Sequence, residues 1–308
     1  MKKSIEKYLS YLHIERNSSR HTITSYRNDL LQLLGFVAEE QGTDPKSVQL
    51  QSVDRLTIRL WMGELSENGI TRNSIARKVA AVRSFFKYCY KRGHVQKNPA
   101  HLLIVPKKET RLPVTVALDD IKKMMELADE DTPEIQQERA ILELFYSSGI
   151  RLSELVNLNV NDVDIRQSQV TVLGKGNKQR VIPIGKKALD AYKNHLKTRP
   201  ELLTGSSKND DKKALFIAAK GGRIYPRKVQ RIIEKYLSKT SEVTQKSPHT
   251  LRHSFATHMM DAGADIRMIK EFLGHSDLNS TQIYTHTSME RLQKVYSKAH
   301  PRAESNIQ

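Results

Sequence analysis

Apolar residues recur at helical spacing through the first hundred positions, without convincing strand alternation, and predict four helices in succession. The first spans roughly Ser4 to Glu15, and the second starts after Arg20 with Ile23, Tyr26, Leu30, Leu33 and Val37 along one side. The third covers about Val53 to Ser66. The fourth, from Thr71 to Arg92, carries Ile75, Val79, Val82 and Phe86 as an apolar stripe and stops at Gly93, a residue suited to a helix C-terminus. From Asn98 to Leu118 the periodicity lapses. Pro99, Pro106 and Pro113 punctuate this stretch, which reads as a linker over 99–117 joining domains at 1–98 and 118–308.

Beyond the linker the pattern is mixed. Helices are expected from Asp119 to Ala128, Pro133 to Ser147, Leu152 to Leu158, Lys186 to Lys197, Pro226 to Ser238, Thr250 to Ala262 and Asp265 to Leu273. A tail segment from Ser288 to Lys298 also has helical character. Two β-rich runs, Ser168 to Leu173 and Gln179 to Ile184, flank a Gly-Lys-Gly-Asn-Lys turn and predict a hairpin. A short strand is expected from Ala214 to Ala219, an exposed loop from Lys208 to Lys213, and a mobile end after Pro301. The expected fold class is mainly α in two domains: a helical first domain, then a mixed α/β domain around a small antiparallel sheet.

Charge changes the picture from fold to partner. The 308 residues hold 51 Lys and Arg against 34 Asp and Glu, a formal net charge of +17. Such an excess favours a polyanion held by phosphate neutralisation and counterion release. Residues 1–105 account for +8 and the remainder for +9, so both halves attract the same partner, as a clamp around a duplex would. On a helical wheel Arg77, Lys87 and Lys91 fall away from the apolar stripe of the fourth helix. They are candidates for phosphate contacts, or members of a solvated charged face. The single cysteine, Cys89, excludes an internal disulfide framework and a Cys-based zinc cluster, and suits a reducing, cytoplasmic setting. Neither a membrane-spanning apolar run nor a signal peptide at the start of the chain is evident, so no membrane partner is expected. Gly174-Lys175-Gly176 is too short for a Walker-type phosphate loop, which leaves nucleotide hydrolysis without a seat.

Candidate chemistry gathers later. Pro248-His249-Thr250-Leu251-Arg252-His253 opens a helix, Gly274-His275 follows, and then Tyr284 within Thr281-Gln282-Ile283-Tyr284-Thr285-His286. His249 and Arg252, three residues apart, share one face near a helix N-terminus, a favourable place for a phosphate. Singly, a helical His or a Tyr is more often a packing residue. As an ordered set they are specific. The segments Leu251-Arg252-His253-Ser254-Phe255-Ala256-Thr257-His258, Phe272-Leu273-Gly274-His275-Ser276 and the Tyr284 run closely resemble the tyrosine recombinase (phage integrase) family, most of all its bacterial Xer members. Ser148-Gly149-Ile150-Arg151-Leu152-Ser153-Glu154-Leu155 resembles the box carrying the family's first arginine. Gly174-Lys175-Gly176-Asn177-Lys178-Gln179-Arg180 resembles the hairpin carrying its lysine, and the ending Lys298 to Ala303 is also Xer-like. The first domain fits the family's helical, SAM-like core-binding domain by position and character.

The resemblance implies six catalytic positions: Arg151, Lys175, His249, Arg252, His275 and Tyr284. Arginine forks match the non-bridging oxygens of a phosphodiester. Tyr284 would be the nucleophile of a 3′-phosphotyrosyl intermediate, Lys175 the general acid, and His249 and His275 donors to the phosphate. Glu154 either orients the Arg151 guanidinium or forms a surface ion pair. A histidine metal site built from His249, His253, His258 and His275 lacks carboxylate partners at ligand spacing, so neither metal nor other cofactor is expected. The implied partner is a double-stranded recombination site, bound by a homo-tetramer or by a hetero-tetramer with a paralogous Xer recombinase, with a DNA translocase (FtsK-like) as a candidate activator. The implied role is chromosome dimer resolution at cell division, favoured because the core-binding helices begin almost at Met1. The alternatives are a phage or mobile-element integrase, a type IB topoisomerase, and a non-enzymatic DNA-binding regulator on the same fold.

Overall fold

Short polar side chains set where the helices begin. The computed structural model describes residues 1–105, 114–128, 130–174, 178–274 and 286–303, the last segment with side chains from 292 onward. They belong to two units, Met1–Arg111 and Leu112–Gln308.

In the first unit α1 (Lys2–Ile14) is followed by α2 (Arg20–Glu40), α3 (Arg55–Glu67) and α4 (Arg72–Lys91), and Ser19, Asp54 and Thr71 each accept a backbone N–H of the helix that follows, so these last three start where capping chemistry allows. The apolar stripe of α4 packs with Leu30, Leu33 and Val37 of α2, Trp61 of α3 and Tyr8 of α1. Tyr8 meets the Phe85 ring edge-on at 5.5 Å and donates its hydroxyl to Ser84 at 2.6 Å, fastening α1 to α4. Ala100 and Leu103, within the stretch expected as linker, are buried in this core, and the Leu103 carbonyl accepts from Arg83.

The second unit is built around α6 (Pro133–Ser148), whose last nine residues are all buried. Against it pack α5 (Leu118–Glu126), α8 (Lys186–Thr198), α10 (Pro226–Thr240) and α11 (Pro248–Asp261). The hairpin is present as β2 (Gln169–Leu173) and β3 (Gln179–Pro183), with Val170 opposite Ile182 and Leu173 opposite Gln179. A two-residue β1 (Val163–Asp164) joins its edge and gives an antiparallel order β1-β2-β3. The short α7 (Leu152–Asn157) precedes the sheet, α12 (Ile266–Leu273) packs on α11, and α13 (His286–Ala299) forms the tail helix. Val116, also within the expected linker, is buried in this second core and donates its N–H to Ser254.

Three local expectations are corrected. No strand forms from Ala214 to Ala219, because other groups take its backbone partners. Leu215 N–H goes to the Leu158 carbonyl, Ile217 N–H to the Gln137 side chain, and the Ala214 and Leu215 carbonyls to Arg199 and His195. Only isolated bridges at Ala214 and Ile217 remain there. Burial lowers the His195 pKa to about 4, so the ring is neutral and its Nε2–H is the donor to Leu215. Lys208 to Lys213 is not a loop throughout but contains α9 (Asn209–Lys213), with Asp211 accepting the Lys208 N–H at 3.2 Å. The end after Pro301 is held rather than mobile up to Ala303: Arg302 forks onto the buried Glu143, its Nε 2.9 Å from Oε2, and Ala303 is buried.

Candidate active site

Arginines from three separate elements converge on the C-terminal end of α12. Arg180 Nε donates to the Phe272 carbonyl at 3.1 Å, Arg252 to the Leu273 carbonyl at 2.7 Å, and Arg151 to the Gly274 carbonyl at 2.9 Å. Three consecutive carbonyls, which the last turn of a helix leaves without intrahelical partners, are thus capped by three guanidiniums at the negative end of the helix dipole. Gly274 ends α12 in the left-handed region at φ 62, where a side chain is disfavoured.

Each arginine is delivered by its own local sequence. Helix α6 stops at Gly149, also left-handed at φ 56, and buried Ile150 pins the turn so that Arg151 lies immediately before α7. Arg252 lies in the second turn of α11, which starts two residues earlier than expected because Ser247 caps it and Pro248 fills its first position. Its guanidinium also donates to the Gly149 carbonyl. Arg180 occupies the inward register of β3 together with Ile182.

Glu154 settles the choice left open by the sequence. Only 5% exposed, it is no surface ion pair. It accepts the Arg151 backbone N–H at 2.7 Å, the Arg151 side chain at 2.9 Å, and both terminal nitrogens of Arg180 at 2.8 Å. Desolvation pushes its pKa up, but the Arg180 fork and the Arg151 contacts outweigh burial and hold it down at about 2. Arg252 is 9% exposed; burial and the neighbouring Arg151 charge lower its pKa to about 10, which keeps it cationic at neutral pH. Three guanidiniums against one carboxylate leave the cluster electropositive. Arg151, with 38% of its side chain exposed, presents that charge to solvent, as an oxyanion would require.

His249 lies in the first turn of α11 and is exposed, whereas the Arg252 side chain turns into the protein. His253 is half-buried, and His258 shares a 2.7 Å hydrogen bond with the Tyr146 hydroxyl. Lys175, His275 and Tyr284 lie outside the described residues. Tyr284 stands ten positions after Gly274 in sequence and two before the start of α13.

Residues 115–291 match the phage integrase family, and residues 5–93 match the phage integrase N-terminal SAM-like domain. The chain belongs to the phage integrase family. Tyrosine recombinase XerC of Pelotomaculum thermopropionicum is 40% identical over 300 residues, covering 97% of this chain and 98% of that protein. The XerC of Thermodesulfovibrio yellowstonii is 40% identical over 297 residues, 96% of each. In fold, the chain matches the Tn1549 transposon integrase in complex with transposon right end DNA at a TM-score of 0.69 and 19% identity, covering 94% and 99% of the two chains. It matches XerH in its post-cleavage complex with palindromic difH substrate at 0.68 and 22%, covering 95% and 83%. The expected architecture, a helical SAM-like domain followed by a recombinase catalytic domain, is the one found. As a tyrosine recombinase the chain is a DNA strand breaking-and-rejoining enzyme.

Within the recombinase the three basic residues singled out on α4 differ. Arg77 forks onto the buried Asp29 of α2, which Lys78 also holds at 3.1 Å, so its charge is shared with a structural ion pair. Lys87 and Lys91 are exposed. Arg180 belongs to the hairpin motif, but the resemblance assigns it no role. The available signal was a charged residue in the inward-facing register of a hairpin strand, a costly position unless a counter-charge waits there.

Two stability predictions follow from this geometry. A Cβ on Gly149 would lie 2.4 Å from the buried Phe255 ring, at a backbone angle that only glycine adopts freely. Gly149→Ala is therefore expected to cost the recombinase about 2–4 kcal/mol by urea denaturation, strain and overpacking combined. For Glu154 the folded-state pKa lies below its ordinary 4.5, so its ionised form stabilises the fold above that pH, and this contribution is lost as pH falls toward about 2. Glu154→Gln should be less stable than the parent near neutrality. The gap, read by urea titration at a series of pH values, should narrow through the same acid range.

Proposed function

We propose that this recombinase is a site-specific enzyme of Xer type, acting in the cytoplasm to resolve chromosome dimers at cell division. The observation that carries the reading is the joint anchoring of Arg151 and Arg252 on neighbouring carbonyls of α12, which brings two permanently charged forks from distant parts of the sequence to one point. A scissile phosphate seated there has its two non-bridging oxygens neutralised.

The Tyr284 hydroxyl gives up its proton to His249 and attacks phosphorus in line, a P–O bond to tyrosine forms, and the bond to the 5′ oxygen breaks. Lys175 supplies the proton that the departing 5′ oxygen needs, and His249 and His275 donate hydrogen bonds to the phosphate and assist the proton transfers. Reversal by a 5′ hydroxyl of another strand rejoins DNA with no loss of phosphoester energy, so no nucleotide is consumed. Lys87 and Lys91 contribute phosphate contacts from the core-binding domain, with Arg77 a further contributor through the exposed part of its side chain. The working assembly is a tetramer on two duplexes, formed with copies of itself or with a paralogous recombinase and activated by a DNA translocase.

The test is covalent capture on a candidate chromosomal dimer-resolution site, prepared as a duplex nicked beside the cleavage position so that the short released strand diffuses away. A captured adduct whose peptide mass places the DNA on Tyr284 is the expected result. Capture on mobile-element ends but not on the chromosomal site would favour an integrase. Efficient relaxation of a supercoiled plasmid lacking any recombination site would favour a type IB topoisomerase, and no adduct on any duplex would favour a DNA-binding regulator.

A further inference from the structure

Arg180 is the most completely engaged of the three clustered arginines, and the proposed reaction gives it no direct part. It is 6% exposed, and its Nε and both terminal nitrogens are all engaged within the protein. Its two terminal nitrogens each donate to one oxygen of Glu154 at 2.8 Å, and its Nε donates to Phe272 at 3.1 Å. The surroundings are shaped to admit it. A Cβ on Gly274 would lie 3.0 Å from its guanidinium carbon, and one on Gly174 would lie 3.4 Å from a terminal nitrogen. Two chain segments therefore pass its charged head with only hydrogens facing it.

Both of its attachments lead to the phosphate clamp. Glu154 is the carboxylate that holds Arg151 through side chain and backbone, and Phe272 is the carbonyl next to those of Leu273 and Gly274, which hold Arg252 and Arg151. We propose that Arg180 is a positioning residue for strand cleavage, which sets the location and the effective charge of Arg151 and Arg252 through Glu154 and the C-terminal turn of α12. The proposal rests on the reading of those two arginines as the phosphate clamp. With Arg180 absent, Glu154 becomes a desolvated carboxylate whose remaining arginine is Arg151. It then draws that guanidinium inward and cancels charge the phosphate needs. At the same time the Phe272 carbonyl loses its donor, and the turn presenting the next two carbonyls loosens. Lysine cannot substitute, because a single ammonium does not span both carboxylate oxygens and a carbonyl in one plane.

The test compares two substrates on the same nicked duplex: the natural phosphodiester, and a methylphosphonate in which a neutral methyl replaces one charged oxygen at the scissile position. Arg180→Ala and Arg180→Lys are each assayed for capture rate at saturating DNA, well below their own melting midpoints, with duplex affinity measured by gel shift. On the phosphodiester, capture should slow by about 10²-fold with affinity within about threefold, the loss typical of a displaced electrostatic donor. On the methylphosphonate, where the charge the clamp must offset is already gone, each variant should run within about fivefold of the parent. Arg180→Lys carries the same expectation and decides the matter if the alanine form does not fold. A purely structural Arg180 would slow both substrates alike, and that result overturns the proposal. Arg252→Ala is the control. If it gains on the methylphosphonate while the Arg180 variants do not, the positioning role alone falls. If it shows no gain either, the phosphate clamp falls, and the Arg180 role with it.

Discussion

Replacing Arg252 by alanine is expected to slow covalent capture of a nicked recombination site by at least about 10³-fold while changing duplex affinity by less than about threefold. The asymmetry follows from where the residue sits. Arg252 is nearly enclosed, remains cationic because its pKa falls only to about 10, and is fixed by the Gly149 and Leu273 carbonyls. On the proposed reading it acts at one phosphate. Binding energy, in contrast, is spread over many phosphates and over a chain with net charge +17, so losing one cation barely moves it. Single-turnover capture at saturating DNA and a gel-shift titration separate the two quantities. Binding and cleavage lost in equal measure would show that Arg252 holds the duplex rather than the transition state. The two orphaned carbonyls also cost stability, so capture should be measured well below the variant's melting midpoint.

Tyr284→Phe removes a single oxygen and should abolish capture, a loss of at least about 10⁵-fold, with affinity for the site unchanged. On the proposed mechanism the effect is larger than for Arg252, because the arginine would lower a barrier, whereas the phenolic oxygen would be the atom bonded to phosphorus. No neighbouring charge can replace it. A residual adduct in the phenylalanine variant, mapped by peptide mass to another side chain, would move the nucleophile elsewhere. A native gel shift run beside the denaturing gel that scores the adduct reports bound but uncaptured duplex, so a folding failure is distinguished from a chemical one.

Helical periodicity located nearly every long helix, because each buries one stripe and exposes the other. Helix α6 is bounded in the structure by the Thr132 cap, Pro133 at its first position and left-handed Gly149 after it, although its C-terminal half is buried all round. The segment from Ala214 to Ala219 misled because an extended apolar run satisfied by Gln137, His195 and Arg199 looks in sequence like one satisfied by a neighbouring strand. At the site, the motifs around Arg151, His249 and Arg252 were readable in the sequence. What holds those side chains was not. The carbonyls of Phe272, Leu273 and Gly274 are backbone groups with no sequence signature. The Arg180–Glu154 pair joins residues 26 positions apart, whose meeting depends on how β3 and α7 pack.

The seat of the C-terminal arm bears on protein engineering. Arg302 carries its cation to the buried carboxylate of Glu143, and its carbonyl passes Gly185 so closely that a Cβ there would come within 2.4 Å. Tyr296, stacked on His300 at 4.6 Å, bonds the Gly185 N–H as well. A chimera that grafts this arm onto another recombinase must therefore supply an acid matching Glu143 and a glycine matching Gly185. A host lacking the first strands a guanidinium inside the protein, and a host lacking the second has no room for the incoming strand.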